Sequence, residues 1–289
     1  MFKFMAWSFS DYERSHPKRT AGMLGRVSAW LTHTSLFEQA WARVCFGRMN
    51  WWWSQQLCLF TVGAWTIFLA TEGNRHQVRR VWAYMLLGQL VAISVASNLF
   101  YLSLVLAPPP PSTRSATRWA SPILWLPVIV SLAAVARSPL TDEKSFLPNL
   151  LVMHAAIVLP LFAPATSNPT RRTLLSIPLP ALYFLVFVVS LVLHSRTTAS
   201  QGMSAVPEFV GSAWSTLHEH PAQSSIGWDV LWTSVSFVAW LVLQPEQDSK
   251  ILTGAYLLLA TPLVSVGVLA PHVLRPREEE AEADVKKDE

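Results

Sequence analysis

The chain has 289 residues, 52% hydrophobic and only 14% charged, where soluble proteins carry about 25% charge. That balance excludes an ordinary soluble domain, and a net charge of +4 spread among the loops gives no nucleic-acid-binding surface. Apolar residues gather instead in uncharged blocks near the ~20 residues that a helix needs to cross a bilayer.

Residues 1–50 are basic and hold no spanning run. Trp30, Thr34, Phe37, Trp41, Val44 and Cys45 recur at helical spacing among Arg26, Arg43 and Arg48. That pattern fits an amphipathic helix in the headgroup region, or a soluble arm folded against a bundle. Residues 51–274 read as an all-α bundle of about seven transmembrane helices. Its blocks lie near Trp51–Ala70, Val81–Leu106, Trp119–Ala136, Leu147–Ala163, Leu174–Leu193, Ile226–Leu243 and Ile251–Leu269. Pro122, Pro127, Pro148 and Pro160 mark the third and fourth blocks as kinked or tilted. Pro108 to Pro111 predict a stiff extended linker. A polar connection over roughly 194–225 is the longest, and there is no internal repeat of the kind that marks many transporters. Indoles at Trp51 to Trp53, Trp82, Trp119 and Trp228 fall where spans meet the interface.

Residues 275–289 form a charged tail ending Lys286-Lys287-Asp288-Glu289. Lysines at those two positions resemble the dilysine signal that a cytosolic receptor reads to return membrane proteins to the endoplasmic reticulum. A cytosolic tail on seven alternating spans puts eight basic residues on cytosolic loops against five on lumenal ones. That agrees with the positive-inside bias, while the basic N-terminal segment opposes it.

Asp229 is the only acid in the sixth block, and an ionisable group inside a span faces a bundle interior or a cavity. Helical spacing puts Asp229, Trp232, Thr233, Ser236 and Trp240 on one stripe. An acid beside indoles and hydroxyls is a candidate general acid; the bland alternative is an acid that caps its own helix or bonds a neighbouring one. Glu72 ends the first block on a stripe with Thr61, Trp65 and Phe68. It is a candidate partner carboxyl, or an interfacial acid paired with Arg75 or His76. His154, inside the fourth block, is a candidate proton relay or a hydrogen-bonded core histidine. Trp232, Thr233, Ser236 and Trp65 are the candidate substrate-binding residues. Ser94, Ser97, Asn98 and Tyr101 share a face of the second block and are expected to look inward. Cys45 and Cys58 have no metal-ligand spacing, and neither does His218-Glu219-His220. No haem, flavin or nucleotide motif is present, so no cofactor and no metal are expected.

Seven indole-rich spans with an acid early in the penultimate one, in the run His220-Pro221-Ala222-Gln223-Ser224-Ser225-Ile226-Gly227-Trp228-Asp229, resemble integral-membrane enzymes of fungal secondary metabolism. These include membrane-bound terpene cyclases and proposed polyketide epoxide hydrolases. The resemblance implies a cofactor-free acid/base enzyme that opens or cyclises a lipophilic epoxide or polyene, with Asp229 and Glu72 as its carboxyls. There is no Asn-Asp-x-x-Asp run to bind a prenyl diphosphate through magnesium. Two other readings stand beside the enzyme: a small transporter, and a membrane scaffold whose Asp229 is structural. The expected partners are the bilayer and a lipophilic small molecule.

Overall fold

The computed structural model describes residues 2–16, 22–107, 119–162, 174–202, 205–243 and 250–275. The Pro108–Pro111 linker and the Lys286-Lys287 tail lie outside these residues. Helices α1 (Phe2–Ser15), α2 (Met23–His33) and α3 (Leu36–Cys45) precede a central column. The column is α4 (Arg48–Phe60), a π turn (Thr61–Trp65) and α5 (Thr66–Arg75). After it come α6 (Val81–Leu90), α7 (Ile93–Leu106), β1 (Trp119–Ala120), α8 (Pro122–Arg137), α9 (Glu143–Phe162), β2 (Ile177–Pro178) and α10 (Leu179–Ala199). The chain closes with α11 (Val206–Glu219), α12 (Pro221–Leu243), α13 (Lys250–Val264) and α14 (Val266–Val273). The fold is all-α apart from the β1–β2 pair, where Trp119 faces Pro178. That pair ties the starts of α8 and α10 to one side of the bundle.

Four helices are long and apolar enough, by length and composition, to cross a membrane: Pro122–Leu140, Glu143–Phe162, Leu179–Ala199 and Pro221–Leu243. Their outer faces carry exposed Leu126, Leu151, Leu159, Phe184, Val192 and Val235, as contact with lipid requires.

The column stands inside the ring that these helices make. Every residue from Trp51 to Leu69 is buried, so its polar groups must find partners within the protein. Ser54 Oγ donates to Val44 O at 2.8 Å and Gln56 Nε2 to Trp52 O at 3.0 Å. The indole N–H of Trp52 donates to Thr198 Oγ1 at 3.1 Å, and that of Trp53 to Ala213 O at 3.0 Å. Trp51 to Trp53 therefore do not stand at a membrane interface; they are core residues whose N–H groups reach α10 and α11. At the π turn, Thr66 Oγ1 donates to Thr61 O at 2.7 Å, which keeps the widened turn satisfied.

The second and seventh blocks are not simple spans. Tyr84 meets Phe100 at 5.3 Å between centroids, and a Cβ on Gly88 would touch Ile93 and Ala96. Helices α6 and α7 are therefore antiparallel and pack on each other. Helix α6 runs against α9, with Trp82 stacked on Phe162 and Gln89 bonded to His154 O. Helix α7 runs parallel to α12, with its start at Asp229 and Tyr101 stacked on Trp240 at 4.9 Å. The block enters the bundle, turns at Val91–Ala92 and returns to the side it came from. Ten and fourteen residues give helices of roughly 15 and 21 Å, short of a ~30 Å hydrocarbon core.

Helices α13 and α14 do the same. The start of α13 packs Gly254 against Val242 at the end of α12. The start of α14 packs Gly267 against Gln56 and Leu59, deep in the column. From there α14 runs back, with His272 on Phe187 and Arg275 on Phe184, and the turn is Ser265 with φ of 72°. The alternating seven-span count is thereby corrected. Two of the seven blocks are re-entrant hairpins, and the sidedness argument built on alternation goes with them. The 75–80 turn and Arg275 still share one side.

The connection over 194–225 is mostly helical: α10 continues to Ala199, and α11 lays Ala213, Thr216 and Leu217 inward. The expected amphipathic pattern over 30–45 is split at Thr34–Ser35 between α2 and α3. Trp30 on α2 donates to Ser8 on α1 at 3.1 Å, and Arg26 pairs with Glu13. Helix α3 lies against the bundle, with Phe37 and Trp41 edge-on to His154 at 5.2 and 5.3 Å.

Candidate functional site: the tip of the first hairpin

A helix that begins inside a bundle exposes its first amide groups, and a side-chain acceptor at the position before the helix normally satisfies them. Here that position is Ala92, extended at φ −170° and ψ 142°, with no side-chain acceptor. The carboxylate of Asp229 takes its place from α12. Ile93 N–H donates to Asp229 Oδ2 at 2.9 Å, and Ser94 N–H to Oδ1 at 2.7 Å. One oxygen per amide is the fork geometry that a carboxylate offers, and charge-assisted bonds of this kind are about twice as strong as neutral ones. The negative charge also meets the positive end of the α7 dipole. Asp229 sits eight residues into α12, roughly 12 Å along its axis, so the hairpin tip lies well inside the bundle.

The other strand of the turn is pinned as well. Gln89, at the end of α6, donates to the His154 carbonyl at 3.2 Å. Inside α7, Ser97 Oγ and Asn98 Nδ2 both donate to Ser94 O, at 3.1 and 2.8 Å. Ser94, Ser97 and Tyr101 are buried as expected; Asn98 turns outward.

Asp229 thus makes the bond to a neighbouring helix that stood as the alternative to an acid role. Thr233 lies one turn on and fully buried, near the carboxylate, but its hydroxyl makes no hydrogen bond of good geometry. Ser236 Oγ donates to Thr233 O at 3.2 Å. Trp232 does not belong to this group. It is 59% exposed on the outer face of α12, because one residue before Thr233 on a helix is about 100° of rotation away. Trp65 is enclosed by Phe60, Phe100 and Tyr101 in the column, where its N–H has no acceptor among the described residues. It packs and does not line an open site.

Glu72 and Asp229 do not meet. Phe68 contacts Trp240, which is eleven residues, roughly 16 Å, beyond Asp229 on α12, and Glu72 is a turn further. Its carboxylate lies 3.5 Å from Arg75 and 3.6 Å from His76, the interfacial pairing. His154 is buried, its Nδ1–H donating to Leu150 O at 2.8 Å. It reaches the hairpin tip only through its backbone carbonyl. Among the described residues no three His, Cys, Asp or Glu side chains converge as metal ligands.

Two features escaped sequence reasoning. One is the break at Val91–Ala92, which falls in a run of apolar residues with no proline. The other is a buried polar pair, Gln55 Nε2 to His194 Nδ1 at 3.0 Å, joining column and α10. The consecutive Gln55 and Gln56 inside an apolar block were the available signal for it.

A family model described as "Protein of unknown function DUF2834" matches residues 36–104, from α3 through the column to near the end of the first hairpin. The match stops short of α12 and Asp229. No curated protein and no solved structure matches the chain.

Proposed function

We propose that this multi-pass membrane protein is a small proton-linked transporter, in which Asp229 clasps and releases the first re-entrant hairpin. The observation that carries it is a single ionisable side chain holding both leading amides of a half-helix inside the bundle. Breaking a helix in a bilayer leaves backbone groups to satisfy, and such breaks recur where irregular backbone lines a solute path. A clasp made by a carboxylate is undone by one proton, which removes the charge and one acceptor. Paired half-helices meeting inside the bundle are also the pattern of discontinuous-helix transporters, despite the lack of a sequence repeat.

The acid/base enzyme asks Asp229 to deliver a proton to a lipophilic epoxide. Against that reading, both oxygens already serve as acceptors to fixed amides, Trp232 faces outward, and Glu72 is distant. The two are separated by reconstituting the purified full chain into vesicles loaded with a pH-sensitive dye and imposing a membrane potential. Proton entry faster than in protein-free vesicles, and lost in Asp229→Asn, is the expected result. Entry equal to protein-free vesicles overturns transport, and turnover of lipophilic epoxides by the same preparation restores the enzyme. Residence in the endoplasmic reticulum rests on the tail, and replacing Lys286 and Lys287 by Ser should release the protein from it.

A further inference from the structure

A cavity of about 210 Å³ opens where α5, α6 and α9 come together, away from Asp229. Leu69, Val81, Trp82 and Leu161 make its apolar wall, and Asn74 and Arg80 its polar rim. Its depth is set by Trp82, which stacks on Phe162 at 5.5 Å, the last residue of a helix long enough to cross the bilayer. The site therefore sits at the level where hydrocarbon gives way to headgroups.

Charge at this level is one-sided. The Glu72 carboxylate is occupied by Arg75 and His76. Arg79 and Arg80 are both exposed and, among the described residues, neither has a carboxylate within ion-pair distance. The turn that presents them is held in an unfavourable backbone shape. Gln77 and Arg80 both have left-handed φ, 54° and 55°, a conformation that costs a non-glycine residue roughly 1 kcal/mol or more. Glycine would remove that cost at position 80, yet the chain carries the arginine whose side chain rims the cavity.

We propose that this cavity binds the headgroup of an anionic phospholipid. The phosphate meets Arg80, with Arg79 adding to the local field, and the upper acyl chain lies along Trp82 and Leu161. At about 210 Å³ the space is smaller than the ~300–1,000 Å³ of ordinary small-molecule sites. It suits a headgroup whose tails remain in the bilayer. Basic pockets between membrane helices select anionic lipids by this chemistry. The site is at the base of the first hairpin, where a bound lipid would fix α6 against α9. It does not depend on proton transport by the chain.

The full-length protein in nanodiscs of phosphatidylcholine, titrated with phosphatidic acid or phosphatidylglycerol and followed by native mass spectrometry, tests this. Retention of anionic lipid at least tenfold above phosphatidylcholine is expected, unaffected by millimolar inorganic phosphate. Arg80→Gln and Arg79→Gln should each weaken it about fivefold, and Arg80→Lys should keep most of it. Arg80→Gly separates binding from folding: it relieves the left-handed strain, so the melting temperature should hold or rise while lipid retention falls. Equal retention of anionic and zwitterionic lipid overturns the proposal. So does full retention in the Arg80→Gly protein, and so does displacement by free phosphate alone.

Discussion

Two long runs of apolar sequence meet opposite fates in this molecule. The run from Arg48 to Arg75 stays one continuous column, widened by a π turn but never broken. The run from Val81 to Leu106 breaks after ten residues and doubles back. The column carries more polar side chains of the two, among them Ser54, Gln55, Gln56, Thr61 and Thr66. Those groups bond to carbonyls of their own helix or to side chains of its neighbours, so the column can be buried on all sides. The hairpin has an alanine where a capping residue belongs, and its amides are satisfied from another helix, by Asp229. A buried helix can stay intact around polar groups that bond locally. A broken one must borrow its partner from elsewhere in the fold.

Removing the borrowed partner is the most damaging way to break this contrast. Asp229→Ala leaves two amides without acceptors in a low-dielectric interior, at about 1–3 kcal/mol each. Thermal unfolding in detergent should show a loss of about 2–6 kcal/mol. Asp229→Asn keeps one acceptor and turns a donor toward the other amide, so it should lose an intermediate amount. A proton donor with no architectural role would instead leave the Asn protein at full stability.

The column is sharpened by its closest approach. A Cβ on Gly267 would stand 2.8 Å from the Gln56 carbonyl and 3.0 Å from the Phe60 amide, both backbone atoms that cannot step aside. Gly267→Ala should push α14 off the column and cost about 1–3 kcal/mol, read from the same melts. The effect should fall on the second hairpin and leave the Asp229 contacts unchanged.

Most of the helical layout was legible in the sequence, because four blocks of apolar residues carry the length and composition of spans. The hairpins were not legible. Length and hydropathy count apolar residues and do not see where a chain reverses, and neither turn is marked by proline or by Gly-Asn chemistry. Asp229 stood out at once as an expensive acid, but its partners are backbone amides, which carry no residue identity to read. The stripe through Trp232 and Thr233 assigned both to one face on spacing. Only packing against α7 and the column decides which of two adjacent positions turns inward.

A smaller effect belongs to the edge of the bundle, where α1 docks on His220. Trp7 meets the imidazole edge-on at 4.3 Å, and Nδ1 accepts from Ala222 N–H at 3.1 Å. Partial burial first, and then the charge of Arg43, hold this pKa below the ordinary imidazole value against the opposing pull of Glu219. The unfolded chain therefore binds the proton more readily. Stability from this contact is complete above about pH 6.5 and falls as pH drops below it. Proteolysis within α1 should speed up modestly at pH 5.5, and His220→Gln should flatten that dependence.

The clasp itself is best probed by moving it. Ala92 already has the extended backbone that a capping residue adopts, and it is not fully buried. In an Asp229→Ala background, Ala92→Ser puts an acceptor back beside the first amides of α7. The double variant should melt above the Asp229→Ala protein by an amount equal to about 1 kcal/mol, while Ala92→Ser alone changes little. A double variant no more stable than Asp229→Ala would contradict the view that Asp229 acts by holding the start of α7.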